Sequence, residues 1–300
     1  MNRSQIYVVL ATVGFSFILI FSTLLKRSGM SSFEQLLFRL SFGLLILAIV
    51  MLPRRRLLLT KRKDVPFFVG IGFTYALFAL SGLSAIAFDT PIAVSVALVY
   101  TQPIFTALIS FVTGKEKATW IRIGIVLLGV FGAFLVSGLN AENPQISLGI
   151  AFPVFAGFLY AVYLWLKRRA PTEEYTPFQV LFNTFVFAAP LLAVVWLVTK
   201  NLSAEPLFVG TIMPDATQLV LLFFFALIGT VVPYGLLNFV KVDELSPTSE
   251  GMLLLGDPLL HTLWASLFFG QYISAVQYVG AALILVSAAI NLKLITRTAM

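Results

Sequence analysis

Three ionisable side chains lie in an otherwise apolar stretch, "SPTSEGMLLLGDPLLHTLWASLFF" at 246–269: Glu250, Asp257 and His261, the last being the chain's one histidine. A carboxylate and an imidazole four residues apart share one face of a helix, where they can exchange a proton or meet a cationic group. In hydrocarbon such groups are costly, and they persist chiefly where they meet water, a partner or a cargo. Pro258 follows the acid directly. It removes a helical hydrogen bond and leaves the Leu254 carbonyl without its usual donor, so a kink or opening is expected there. With Ser246 as N-cap and Pro247 in the first turn, Asp257 comes roughly 15 Å along the helix, near the middle of a hydrocarbon layer about 30 Å thick.

A second polar residue followed by proline, Gln102-Pro103, occurs at corresponding depth in an earlier apolar run. Helical spacing puts Ser95, Gln102 and Thr106 on one face there, and Glu250, Asp257, His261 and Trp264 on one face here. Two such faces looking into one cavity predict a central binding site. Its candidate substrate contacts are Asp257, His261, Gln102, Tyr100, Ser95, Tyr75, Tyr160, Tyr163, Tyr234, Asn238 and Trp264. Asp257, His261, Glu250 and Arg39 are candidates for coupling or gating, and Pro103 and Pro258 for helix breaks. Plainer roles compete with these: Glu250 as a complement to the helix dipole, Arg39 as a snorkelling cation, and the tyrosines as packing or interface residues.

These residues need elements to position them, and the composition names the elements. Of 300 residues 59% are hydrophobic and 11% charged, with mean hydropathy +0.98, whereas a soluble domain is about 25% charged. Apolar runs of about 20 residues predict an all-α integral membrane protein with ten spans, near 6–25, 34–52, 65–86, 91–112, 119–138, 148–166, 177–198, 216–239, 247–269 and 273–292. The first run lacks a small-residue cleavage site and reads as a retained helix. The absence of cysteine excludes disulfides and thiolate chemistry; one histidine alone builds no zinc site, and no cofactor is expected.

The net charge of +7 follows orientation rather than nucleic acid. One side receives Arg3, Arg54, Arg55, Arg56, Lys61, Arg62, Lys63, Lys115, Lys117, Arg122, Lys167, Arg168, Arg169, Lys241, Lys293 and Arg297. The other receives Lys26, Arg27 and Lys200, and Arg39 falls inside a span. Both termini are therefore expected in the cytoplasm.

The chain also repeats itself. An offset of 156 places Thr74 on Thr230, Pro91 on Pro247, Leu98 on Leu254, Thr106 on Thr262, Ser110 on Ser266, Gly114 on Gly270 and Gly124 on Gly280. Offsets of 144 and 143 place Gln35 on Gln179 and Gly14 on Gly157. Five spans thus recur, with a division at 1–140 and 141–300, and an odd number forces the second copy to enter the membrane in the opposite sense. Inverted repeats around a midplane site are typical of secondary transporters.

The ten spans, the fivefold repeat, "LFRLSFG" at 37–43, "PIFTALISFVTGKEK" at 103–117 and "LSPTSEGMLLLGDP" at 245–258 resemble the EamA family of the drug/metabolite transporter superfamily over nearly the whole chain. The resemblance implies an inner-membrane carrier, usually an exporter of amino acids or related metabolites, with its cavity between the repeats. Arg39 matches the family's span-two arginine, Asp257-Pro258 its acid-proline pair, and Gly114 and Glu116 the ending of its span four. Gly270-Gln271-Tyr272 lacks the corresponding acid, and "VGFSF" replaces the frequent span-one tryptophan.

The function expected is amino-acid export by alternating access, with proton coupling through Asp257 open. An organic-cation carrier using cation–π contacts and an uncoupled uniporter are the alternatives; monomer and homodimer are equally open. A passive channel and an intramembrane aspartyl protease are weaker readings. The protease needs a second deep aspartate to share its proton, and none is found.

Overall fold

The computed structural model describes residues 1–53, 59–87, 97–137, 150–171, 173–202 and 213–298. It is all-helical. Six helices are long and apolar enough to cross a bilayer, Arg3–Arg27, Ser32–Met51, Arg62–Gly82, Pro177–Val198, Ala216–Asn238 and Pro247–Phe269, and four shorter apolar helices accompany them. We number the ten helices α1 (Arg3–Arg27), α2 (Ser32–Met51), α3 (Val65–Ala87), α4 (Gln102–Val112), α5 (Trp120–Val136), α6 (Ala151–Lys167), α7 (Pro177–Leu202), α8 (Ala216–Asn238), α9 (Pro247–Phe269) and α10 (Ala275–Thr298). Ser95, the start of the fourth span and the expected division near residue 140 lie outside the described residues.

Helix starts are set by side chains that satisfy free backbone N–H groups. Asn2 with Gln5, Ser31 with Glu34 and Asp215 with Gln218 form reciprocal capping boxes on α1, α2 and α8. Ser246 caps α9 ahead of Pro247 as expected. The repeat is visible at the other ends: Gly114 after α4 and Gly270 after α9 adopt φ of 68° and 66°, the left-handed conformation that glycine reaches without a Cβ penalty.

Four spans are less regular than a straight rod. A turn at Tyr100 and Thr101 precedes α4, and Leu255 interrupts α9. Thr101 and Leu255 have nearly equal dihedrals, φ/ψ of −69/−9° and −64/−11°, and a proline follows each within three residues. Phe17 interrupts α1 with φ/ψ of −73/−13°, although no proline marks it. In α8, residues Leu227–Val231 form a π turn. Pro233 lies just beyond and has no N–H for the Gly229 carbonyl, a local cause for the widened turn.

Loop contacts respect the charge parity. On the basic face, Glu174 pairs with Lys61 at 2.8 Å and Lys63 at 2.7 Å, and Asn2 and Ser4 bind the 240–245 loop through Glu244. Hydrogen bonds from the two lysines, reinforced by their charge, hold the Glu174 carboxyl below the usual range. On the opposite face Gln218 donates to the Ser28 carbonyl at 2.9 Å, and Arg27 lies 5.0 Å from the Phe269 ring centre.

The main core joins α1, α2, α3, α6, α7, α8 and the first half of α9, while α4, α5, α9 and α10 share a second cluster. Large apolar side chains such as Ile49, Val198, Phe223, Leu267 and Leu285 point outward, as lipid contact requires. Within the second cluster α5 and α10 run in close contact at Gly132 and Gly280.

Candidate functional site

The two breaks carrying Pro103 and Pro258 meet. Tyr100, from the turn before α4, donates a short hydrogen bond to Asp257 Oδ2 in the first turn of the second half of α9. The other carboxylate oxygen, Oδ1, is buried without a hydrogen-bond partner, and so is His261 Nε2, 3.5 Å away. The Asp257 side chain is 14% exposed and that of His261 20%. A carboxylate oxygen and an imidazole nitrogen held at this spacing, neither satisfied, can take up a proton or an N–H donor between them.

A cavity of about 170 Å³ adjoins the pair on the His261 side, lined by Pro258, His261, Thr262, Gln271, Tyr272 and Gln277 together with apolar residues of α1, α5 and α9; Asp257 itself is not in its lining. Ser137 and residues 271–273 belong to loops on the side away from the basic loops, so the cavity opens toward that face. Its lining holds no lysine, arginine or carboxylate. Among the described residues, His261 is the only ionisable group in the lining apart from the Tyr272 phenol.

Beneath the acid lies a hub of tyrosines. Tyr75, Tyr163 and Tyr234, from α3, α6 and α8, form a mutual triangle with ring centres 5.3 to 5.8 Å apart. Phe15 and Phe185 close on it at 4.8 Å and 5.3 Å. Tyr160 stacks on Phe78 at 4.8 Å and lies within electrostatic range of Asp257. Tyr75 and Tyr163 are fully buried, so these side chains form the floor of the site rather than its walls. Arg39 stands over the Phe225 ring at 4.9 Å, near Tyr75 and Tyr234, with its Nε buried and unpartnered. Its place beside the hub is not that of a cation reaching for solvent.

The single-face reading of α9 does not survive the break at Leu255. Glu250, in the first half, is fully buried and ion-paired to Lys167 and, at 2.7 Å, to Arg168. Trp264 stacks on Phe17 and donates to Ser16 Oγ at 2.8 Å, sealing α9 to α1. Gln102 and Thr106 do share a face, yet they hydrogen-bond to each other, and Gln102 packs at Gly251. Asn238 donates to the Pro177 carbonyl at 3.3 Å, joining α8 to α7 at the basic end. Sequence reasoning passed over Lys167 and Arg168 as loop charges; their position at a helix end was the available signal.

Glu116, two residues beyond Gly114, accepts from the Thr248 N–H and from Ser110, both at 3.0 Å, and caps the start of α9. For Tyr100→Phe we expect slower transport, by about tenfold if a charge-assisted hydrogen bond is worth ~1.5 kcal/mol at the low end. Uptake assays beside a thermal melt check this; an unchanged rate would remove Tyr100 from the site.

The EamA-like transporter family matches the chain twice, over residues 2–138 and 147–293. An uncharacterised transporter of Clostridium kluyveri is 23% identical over 97% of this chain and 93% of its own length. Another, from Archaeoglobus fulgidus, is 24% identical over 66% of each chain, and the chloroplastic WAT1-related protein At3g02690 of Arabidopsis thaliana is 24% identical over 76% of this chain and 56% of its own. A crystal structure superposes with a TM-score of 0.80 over 98% of both chains at 16% identity. With two copies of one membrane transport unit spanning nearly all its residues, the chain is a multi-pass carrier and not an enzyme, and it belongs to the EamA-like transporter family of the drug/metabolite transporter superfamily.

Proposed function

We propose that the protein exports amino acids or closely related small zwitterions from the cytoplasm across the inner membrane, by alternating access, with Asp257 as the group that meets either a proton or the cargo's ammonium. The observation that carries this reading is the unpartnered Asp257 Oδ1, 3.5 Å from the Nε2 of His261, whose side chain lines a cavity with no lysine, arginine or carboxylate in its walls. A cationic group entering that cavity meets no fixed cation in the lining, and the nearest carboxylate open to it is that of Asp257, behind His261. Arg39, with its free buried Nε at the edge of the tyrosine hub, offers the complementary pole for a carboxylate.

On this reading the Lys- and Arg-rich face is cytoplasmic, and the structure is the outward-open state. His261 completes the coupling group. The two units, 1–140 and 141–300, rock against each other around the site.

Competition against uptake of a labelled amino acid into proteoliposomes tests the cargo class. Neutral amino acids are expected to compete best, a quaternary amine weakly and organic phosphates not at all. Stronger competition by the quaternary amine would transfer the assignment to organic cations, for which Asp257 and the aromatic floor would serve equally.

A further inference from the structure

We propose that Glu250, gripped by Lys167 and Arg168, is an ionic latch that holds the transport path shut at the basic face. The proposal rests on the carrier reading and goes beyond it by naming the residues that close the basic face.

The latch is a meeting of helix ends. Lys167 and Arg168 stand at the C-terminus of α6 and Glu250 in the first turn of α9, so each charge also complements its own helix dipole. All three side chains are nearly inaccessible, at 2%, 6% and 1% exposure for Lys167, Arg168 and Glu250. Each also reaches a carbonyl: Lys167 donates to Leu237 at 2.7 Å and Arg168 to Leu245 at 2.8 Å. One carboxylate thereby ties α6 and α9 to the end of α8 and the loop that follows it.

Behind the latch lies a void of only about 10 Å³, bordered by Thr106, Ser110, Arg168 and Glu250, between α4, α6 and α9. It is on the far side of the tyrosine hub from the open cavity. A void of this size admits at most about one water molecule.

The sequence repeat does not copy the three latch residues at the aligned positions. The offsets that align the two copies put Leu24 and Leu25 where Lys167 and Arg168 stand, and Val94 where Glu250 stands. Separating buried charges is tolerable only where water reaches them, so the latch opens together with hydration of the basic face. It therefore biases the resting carrier toward the state open on the opposite side.

The chain has no cysteine, which gives a clean background for single-cysteine reporters. Ser110→Cys reports on the closed void and Thr262→Cys on the open cavity, each labelled with a membrane-impermeant maleimide in vesicles of known orientation. With the latch intact Thr262→Cys should react and Ser110→Cys should not. Adding Glu250→Gln, or separately Lys167→Gln, should raise labelling of Ser110→Cys from the basic face by about tenfold or more while labelling of Thr262→Cys falls. Opposite movements mark a shift between two closed-packed states. Unchanged rates, or both rising together as a loosened fold would give, overturn the latch. If counterflow of substrate persists in that case, the carrier reading stands without it.

Discussion

Asp257→Asn is expected to lower substrate flux by about a hundredfold or more, the loss of ~2.7 kcal/mol of charge-assisted contact to the cargo or proton, without unfolding the protein. Asparagine keeps the size of aspartate, and its carbonyl oxygen can still accept from Tyr100. What it loses is the charge and the exchangeable proton on the unpartnered Oδ1 side. Because that oxygen makes no structural hydrogen bond, the melting temperature in detergent should move little. Asp257→Glu, which keeps the chemistry but displaces it by one methylene, should fall between the two. The comparison is made by uptake into proteoliposomes at equal protein incorporation; wild-type flux in Asp257→Asn would remove the acid from the mechanism.

The largest structural effect is expected at Gly280. A Cβ there would stand 2.6 Å from the Gly132 carbonyl oxygen, 2.7 Å from Leu135 Cβ and 2.7 Å from the Val136 nitrogen. Two of these are backbone atoms that no rotamer change can move. Gly280→Leu must therefore push α10 off α5, and a cost of ~3 kcal/mol or more is expected. Its repeat counterpart supplies the control. Gly124 occupies the aligned position in α5 but has nothing within 4 Å of a built Cβ, so Gly124→Leu should stay within about 0.5 kcal/mol of wild type. Thermal unfolding of both variants decides it, and equal shifts would contradict the close crossing. The two glycines show that a sequence repeat need not carry a packing role from one copy to the other.

Much of the architecture was legible beforehand because membrane spans are written in run length and loop charge, which are local properties. Ten apolar runs and the paired polar-proline positions correspond to observed elements. Pro258 also foretold the interruption of α9, which falls at Leu255. The break at Phe17 had no such mark: it coincides with contacts from Trp264, far away in sequence, to Ser16 and Phe17. Pro233 was available as a signal for the π turn in α8 and was not used.

The site was less legible, for a geometric reason. Facing rules assume a continuous helix, and both helices that build the site are interrupted where its residues lie. Tyr100 therefore reaches Asp257 from a turn, while Gln102 and Thr106 pair with each other. Glu250 shares a computed face with Asp257 yet looks to α6, where Lys167 and Arg168 hold it. No spacing rule links residues on different spans, and that pairing came only from the assembled fold.

The most direct test of the carrier assignment is the internal pH of proteoliposomes holding an imposed proton gradient, followed as amino acids are added, with Asp257→Asn in parallel. We predict substrate-dependent proton movement through the wild-type protein and none through the variant. Labelled amino acid crossing at the same rate in both, with internal pH unmoved, would contradict a role for Asp257 at the centre of transport.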